Sequence, residues 1–237
     1  MEFSDFFAAL LAVALGSVVQ TLTGVGGGFL VVPVLAFIDM NLLPGPLVMA
    51  SMILSGIMMW RERQHIDTRN LPVILLGIVP GAVLGALLLA KVSFDHLGLV
   101  FGVVILLAVV LTASSWHVPL TRKSGFIAGL TAGAMGSTTG IGAPVLAVLY
   151  QHASGPQIRG TLAVLYSAAS ALILIVLSVF GRFGVTEMKL AFWLMPGFVL
   201  GYFASQHLTA RLDKGSIRWA VLTASAAAAL VLIVRSL

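Results

Sequence analysis

The sequence predicts an all-α polytopic membrane protein of about 8–10 helical segments, arranged as two inverted repeats of about five segments each. Of the 237 residues, 59% are hydrophobic and only 9% are charged, whereas a soluble domain carries about 25% charged residues. The apolar runs are continuous rather than alternating, which favours helices over a β-barrel. The chain is also duplicated, because GVGGG at 24–28 is matched by GIGAP at 140–144, and PGAVLG at 80–85 by PGFVLG at 196–201. Both matches are 116 residues apart.

The two repeats are predicted to cover residues 1–116 and 117–237. Apolar segments are expected over 4–22, 28–38, 47–60, 71–90 and 96–115 in the first repeat, and over 125–136, 143–151, 161–180, 188–208 and 217–234 in the second. A membrane-spanning helix needs about 20 residues. The segments 28–38 and 143–151 are too short for this, and each follows a glycine cluster. We therefore expect two glycine-broken helix pairs, which are either re-entrant or discontinuous.

An odd number of segments per half predicts that the halves have opposite orientations. If the chain starts outside and each break turns its helix pair back, nine Lys and Arg residues face the cytoplasm and four face outside. The cytoplasmic residues are Arg61, Arg63, Arg69, Arg122, Lys123, Arg159, Arg211, Lys214 and Arg218, and the outer ones are Lys91, Arg182, Lys189 and Arg235. This excess follows the positive-inside rule. If a glycine-flanked pair crosses only once, the N-terminus moves inside.

The composition also bounds the location, cofactors and partners. The acidic start of the chain predicts no cleaved leader, so we expect a multi-pass protein of the cell inner (plasma) membrane. The chain has no cysteine, and its five histidines show no metal-ligand spacing, so neither a metal site nor another cofactor is predicted. The net charge of +5 comes from single residues in short loops, which argues against nucleic-acid binding. The predicted partners are a small anionic substrate and the lipid bilayer, and a homo-oligomer is left open.

The glycine clusters are the predicted substrate site. Pro144 indicates a helix start whose first N–H groups lack partners, and residues 26–28 have the equivalent position before Phe29. A helix start carries about half a positive charge, and glycine lets an anion approach the backbone. Neighbouring hydroxyls and one amide add donors, and no carboxylate lies nearby. The predicted site residues are Gln20, Thr21, Thr23, Gly24, Gly26, Gly27, Gly28, Ser137, Thr138, Thr139, Gly140, Gly142 and Arg159.

Two of these interpretations have structural alternatives. Small residues also allow membrane helices to pack closely, which is how we interpret Gly77, Gly81 and Gly85. Arg159 either attracts or gates the anion from the cytoplasmic side, or it only orients the helices. No acidic residue lies in the middle of a segment, so we expect no carboxylate proton relay. An anion leaving a negative-inside cell is in any case driven outward.

The chain resembles the TauE/SafE sulfite-exporter family. The likeness rests on the cluster at 24–28 followed by Pro33, the cluster at 140–144, Arg159-Gly160-Thr161, and the paired Pro-Gly-x-x-x-Gly segments, and it covers almost the whole chain. The resemblance implies a multi-span transporter that moves sulfite, thiosulfate or organosulfonates such as sulfoacetate, generally outward. Ala143 departs from the pattern, since the second motif often has a further glycine there.

The leading hypothesis is therefore a secondary transporter, not an enzyme, that exports a small sulfur oxyanion through a midplane site at the two breaks. One alternative is a bidirectional or uptake permease for the same or other small anions. Another is an intramembrane enzyme or a scaffold. An intramembrane serine protease would need a buried serine beside a histidine. Ser51, Ser55 and Ser137 are available, but only His207 is a candidate for a histidine in mid-membrane.

Overall fold

The computed structural model describes residues 3–25, 27–93, 96–114, 118–208 and 214–236. These residues form ten α-helices, two 3₁₀ turns and no strand, which confirms the predicted all-α class. The helices are α1 Phe3–Thr23, α2 Gly27–Ile38, α3 Gly45–Arg61, α4 Leu71–Lys91, α5 Leu97–Ala113, α6 Arg122–Thr139, α7 Ala143–Tyr150, α8 Gly155–Val179, α9 Val185–Leu208 and α10 Lys214–Arg235. Gly26, Arg211 and the predicted repeat boundary at 116/117 lie outside the described residues.

Four helices are long and apolar enough to cross a membrane. They contain the stretches Ser4–Thr23, Leu71–Lys91, Gly155–Val179 and Val185–His207. Shorter apolar stretches occupy Gly27–Ile38, Gly45–Arg61, Leu97–Ala113 and Trp219–Arg235. With several apolar helices in one chain, this is the composition of a multi-pass membrane protein.

Several helix boundaries differ from the sequence prediction, and three of these differences bear on the site. Helices α3 and α8 begin at Gly45 and Gly155, earlier than the predicted 47 and 161, because each has a proline in its first turn. Proline is favoured there since its missing N–H would have no partner in any case. Helix α6 continues to Thr139, three residues beyond its predicted end at 136, so the second interruption is confined to 140–142.

Helices α4 and α6 pack with their backbones in contact along glycine faces. A Cβ atom at Gly77 would collide with the carbonyl oxygen of Phe126, and one at Gly81 with that of Leu130. Conversely, a Cβ atom at Gly129 would collide with the backbone of Ile74 in α4. The expected packing role of these α4 glycines is therefore what the structure shows.

The other interrupted segment is held in the same way. Helix α1, which precedes the first interruption, packs against α9. Gly197 and Gly201 of α9 leave no room for a Cβ atom beside the carbonyl oxygens of Leu10 and Ala14. Because α4 and α1 belong to the first half of the chain and α6 and α9 to the second, the two halves interlock.

A proline in α2 is compensated by the last helix. Pro33 lies inside α2 and has no N–H to donate to the carbonyl oxygen four residues earlier, which is that of Phe29. The hydroxyl of Ser225 in α10 lies 2.7 Å from this oxygen and 2.6 Å from the carbonyl oxygen of Val221 in its own helix, so its one proton is shared between the two acceptors. In a bilayer an unpaired backbone carbonyl costs several kcal/mol, so this bond fixes α10 against α2.

We expect Gly81→Ala to lower the stability of the protein by about 1–3 kcal/mol, because the new methyl group forces two backbones apart. Gly56→Ala is the matched control, since a Cβ atom there meets nothing within 4 Å. The measurement is the thermal unfolding midpoint of both purified variants in detergent. Equal midpoints would show that the α4–α6 contact is not a close one.

Candidate functional site

Two glycines end the helices before the interruptions in the same way. Gly24 has φ +80° and Gly140 has φ +84°, in the left-handed region that side chains rarely adopt. Their N–H groups donate to the carbonyl oxygens of Gln20 and Gly136, both at 2.8 Å. Each interruption is therefore a glycine C-cap, after which the chain can change direction.

A new helix starts directly after each cap. Helix α7 begins at Ala143 with Gly142 as its N-cap residue, no capping side chain, and a proline in its first turn. Helix α2 begins at Gly27. The first N–H groups of a helix have no partner within it. Both starts therefore present backbone donors that have no partner within their own helix.

One cavity of about 80 Å³ lies between the two interruptions. Gln20, Gly27 and Gly28 line it from the first, and Gly140, Ile141, Gly142 and Ala143 from the second. The remaining polar lining residues are Ser51 and Ser55 of α3 and Tyr166 and Ser170 of α8. No charged side chain is among the described residues that line it. The cavity can hold a small ion with few waters.

The structure thus brings together five of the predicted site residues, Gln20, Gly27, Gly28, Gly140 and Gly142. The predicted hydroxyls beside the breaks do not line this cavity. They donate to carbonyls of their own helices: Thr21 to Ser17, Thr23 to Val19, Ser137 and Thr138 to Ala134, and Thr139 to Met135. This back-bonding is the nearest option for a hydroxyl in a final helical turn. The protons of these hydroxyls are therefore already engaged in hydrogen bonds within their helices.

Three other polar side chains line the cavity without a hydrogen-bond partner among the described residues. Ser55 is 2% exposed and Ser170 is 8% exposed, yet neither hydroxyl has a hydrogen bond within the described part of the chain. The amide of Gln20 likewise has no partner among those residues. Ser51, one turn from Ser55, is bonded to the carbonyl of Val48 at 2.9 Å. Buried polar groups are normally bonded. The two buried serines, together with the half-buried Gln20, therefore indicate space for a polar ligand.

Sequence reasoning considered Ser55 only as a protease nucleophile and did not consider Ser170. The available signal was weak: small polar residues on apolar helices, whose facing directions depend on the packing of α3 and α8. His207, the histidine that an intramembrane protease would use, does not line the cavity.

Arg159 lies beside the first interruption but outside the small cavity. A Cβ atom at Gly24 would lie 3.2 Å from Cγ of Arg159. The Nε atom of Arg159 is 3.0 Å from Oε1 of Glu62, which is 8% exposed. Arg61 Nη2 binds the same oxygen at 3.2 Å. The sequence analysis overlooked Glu62, because it lies between two arginines at the end of α3.

The motif Arg159-Gly160-Thr161 holds the loop after α3. Besides the ion pair to Glu62, a Cβ atom at Gly160 would lie only 2.9 Å from the carbonyl oxygen of Glu62. The N–H of Asp67 donates to the Thr161 hydroxyl at 2.9 Å. All three residues therefore fix the start of α8 to residues 62–67.

Arg159 also borders a second, larger cavity of about 470 Å³. Thr23, Val25, Pro144 and Gln151 line it as well, but most of its wall is apolar. The first interruption separates the two cavities, since Gly27 and Gly28 border the small one and Val25 the large one. The hydroxyl of Tyr166 lies 3.5 Å from the carbonyl oxygen of Gly24 at this boundary.

Apolar helices, two pairs of which are interrupted beside a small cavity, are the architecture of a multi-pass membrane transporter. A family model described as "Sulfite exporter TauE/SafE" matches residues 8–232. The chain belongs to the TauE/SafE sulfite exporter family, as its motifs predicted. Membership places it among transporters rather than enzymes.

The chain is also similar to a curated relative. It is named "Probable sulfite/organosulfonate exporter TauE" and comes from Cupriavidus necator strain H16. It is 31% identical over 169 residues, which cover 65% of this chain and 65% of the relative. The matched region thus spans less than two thirds of the relative's length. No solved structure matches the chain.

We expect Glu62 and Arg159 to be energetically coupled. Glu62→Gln should cost about 1–3 kcal/mol, because the largely buried Arg159 loses its counter-charge. Arg159→Gln combined with Glu62→Gln should cost less than the two single changes added together. A double-mutant cycle on thermal unfolding measures the coupling. Strict additivity would mean that the pair does not stabilise the fold.

Proposed function

We propose that the protein exports a small sulfur oxyanion, such as sulfite or an organosulfonate, through the cavity at the two interruptions. One observation carries this proposal: Ser55 and Ser170, buried residues whose hydroxyls have no hydrogen bond within the described part of the chain, line the same cavity as the starts of α2 and α7. Hydrogen-bond donors around a cavity with no carboxylate suit an anion with several oxygen atoms. The printed name of the Cupriavidus relative supports the sulfur chemistry.

The proposal extends to the direction of transport and to the location of the protein. An anion that leaves a negative-inside cell gains roughly 2.3 kcal/mol per charge per 100 mV. A cavity without a carboxylate has no proton relay of its own, so export can use this gradient alone. The excess of Lys and Arg expected on the cytoplasmic side supports chain termini outside the cell, and the proposed location is the cell inner (plasma) membrane.

The contacts of the caps support an inverted repeat of residues 1–116 and 117–237. Gly24 packs against Ile158 and Arg159 in the first turns of α8, and Gly140 packs against Leu47 and Val48 in the first turn of α3. Helices α3 and α8 both start with Gly-Pro. Each cap therefore faces an equivalent position in the other half. Such repeats place a substrate site at their interface near the midplane.

We expect the double variant Ser55→Ala/Ser170→Ala to lower sulfite affinity by about tenfold or more, because two donors to a charged ligand are lost. The measurement is efflux of labelled sulfite from proteoliposomes with an imposed voltage. Ser178→Ala is the control: its hydroxyl is exposed and donates within α8 at 2.8 Å. Unchanged affinity in the double variant would remove the cavity from the transport path. Equal flux under voltages of both signs would indicate a bidirectional permease.

A second experiment distinguishes a specific role of the second interruption in transport from the general effect of backbone strain on stability. Gly140→Ala and Gly181→Ala should each lose roughly 1–2 kcal/mol of stability, because both glycines have positive φ. Gly181 has nothing within 4 Å of an added Cβ atom and lies between α8 and α9. Only the Gly140 variant should lose sulfite transport, measured at equal amounts of folded protein. Equal losses in both variants would mean that the second interruption has no special role.

A further inference from the structure

We propose that the small cavity selects singly charged oxyanions, such as hydrogen sulfite and simple sulfonates, over dianions such as sulfite, sulfate and thiosulfate. This inference rests on the proposed function and specifies the charge of its substrate. It follows from the type of donors around the cavity and from the position of Arg159 outside it.

No cationic side chain compensates a bound anion in this cavity, within the residues that the structure describes. Its described lining contains no Lys, Arg or His. Arg159 borders the larger cavity beyond the first interruption, with its Nε atom 3.0 Å from the Glu62 carboxylate. The positive potential therefore comes from the starts of α2 and α7, about half a charge each. The ends of α1 and α6 lie nearby and reduce it, so the total is at most about one positive charge.

Desolvation opposes a second negative charge. The Born cost of moving an ion out of water rises with the square of its charge, so a dianion pays about four times as much as a monoanion of equal size. The gain from the two helix starts rises only in proportion to the charge. A cavity of about 80 Å³ leaves little room for waters that would hydrate the ion. The balance between the desolvation cost and the attraction of the helix starts therefore favours an anion with a single negative charge.

The neutral donors fit a monoanion in a further way. Ser55, Ser170 and the Gln20 amide can donate to separate oxygen atoms of a sulfonate-like group without adding net charge. The same amide has a carbonyl oxygen that can accept the proton of hydrogen sulfite. A sulfate dianion has no proton to offer to this acceptor.

The test compares ligands of fixed and variable charge on the purified full chain by titration calorimetry. Methanesulfonate is a monoanion throughout, sulfate and thiosulfate are dianions throughout, and sulfite changes charge near neutral pH. We expect methanesulfonate affinity to be independent of pH. The apparent affinity for total sulfite should fall about tenfold per pH unit above its second pKa, because the binding form becomes scarce. Sulfate and thiosulfate should bind roughly 100-fold more weakly.

A variant that adds a positive charge tests whether the lack of a cation in the cavity causes the selection of monoanions. Gln20→Lys brings a cation into the cavity and should raise the affinity for sulfate relative to methanesulfonate by about tenfold. Gln20→Met, of similar length and without charge, is the matched control and should not raise this ratio. The ratio is measured on folded protein that binds, so it does not depend on how stable the variants are.

The outcomes distinguish this inference from the proposed function. If none of the four ligands binds, the anion cavity is disproved and the charge selection with it. If sulfate binds as tightly as methanesulfonate, the anion site stands and the selection of a single charge is overturned. Sulfite affinity that does not change with pH would overturn it as well.

Discussion

Close backbone contact at glycine faces is the constraint on which the rest of the structure depends. In a bilayer, apolar side chains gain nothing by leaving lipid, so helices associate through tight packing of small residues. Gly77 and Gly81 give α4 this contact with α6, and Gly197 and Gly201 give it to α9 with α1. Since α1 and α6 are the helices that end at the interruptions, these contacts determine where both interruptions lie.

Near a helix interruption in a membrane, each backbone N–H and C=O group needs a hydrogen-bond partner. Most of the groups described above have one. Ser225 in α10 satisfies the Phe29 carbonyl that Pro33 leaves open, and the caps at Gly24 and Gly140 satisfy one carbonyl each. Within the described residues, the fully buried side-chain atoms without a hydrogen-bond partner are the hydroxyls of Tyr150 and Ser167, neither of which lines the small cavity. Ser55 and Ser170 differ from them because they do line it. Both belong to helices that cross beside the interruptions rather than form them. The cavity therefore combines backbone donors from α2 and α7 with side-chain donors from α3 and α8.

The sequence predicted the parts of this arrangement that depend on local chemistry. Glycine clusters within apolar runs indicated both interruptions, and Gly27, Gly28 and Gly142 do border the cavity. The threonines and Ser137 lie where they were expected, but a hydroxyl in the last turn of a helix has a carbonyl of its own helix within reach. The helix carbonyls and the cavity compete for the hydroxyl proton, and the outcome can be predicted only when the exact last residue of the helix is known. Ser170 could not be assigned, because its facing direction is set by how α8 packs.

The position of Arg159 is consistent with the needs of transport rather than storage. A permeating ion must bind well enough to enter and weakly enough to leave. A guanidinium inside a cavity of about 80 Å³ would form charge-assisted bonds that slow release. Arg159 instead borders the larger cavity, where Glu62 already neutralises much of its field. On the proposed path, an anion would therefore meet a largely neutralised ion pair at this point and would not be held there. In the proposed mechanism the neutral donors of the small cavity make the selective contact, and because their bonds are individually weak, they would let the anion move on.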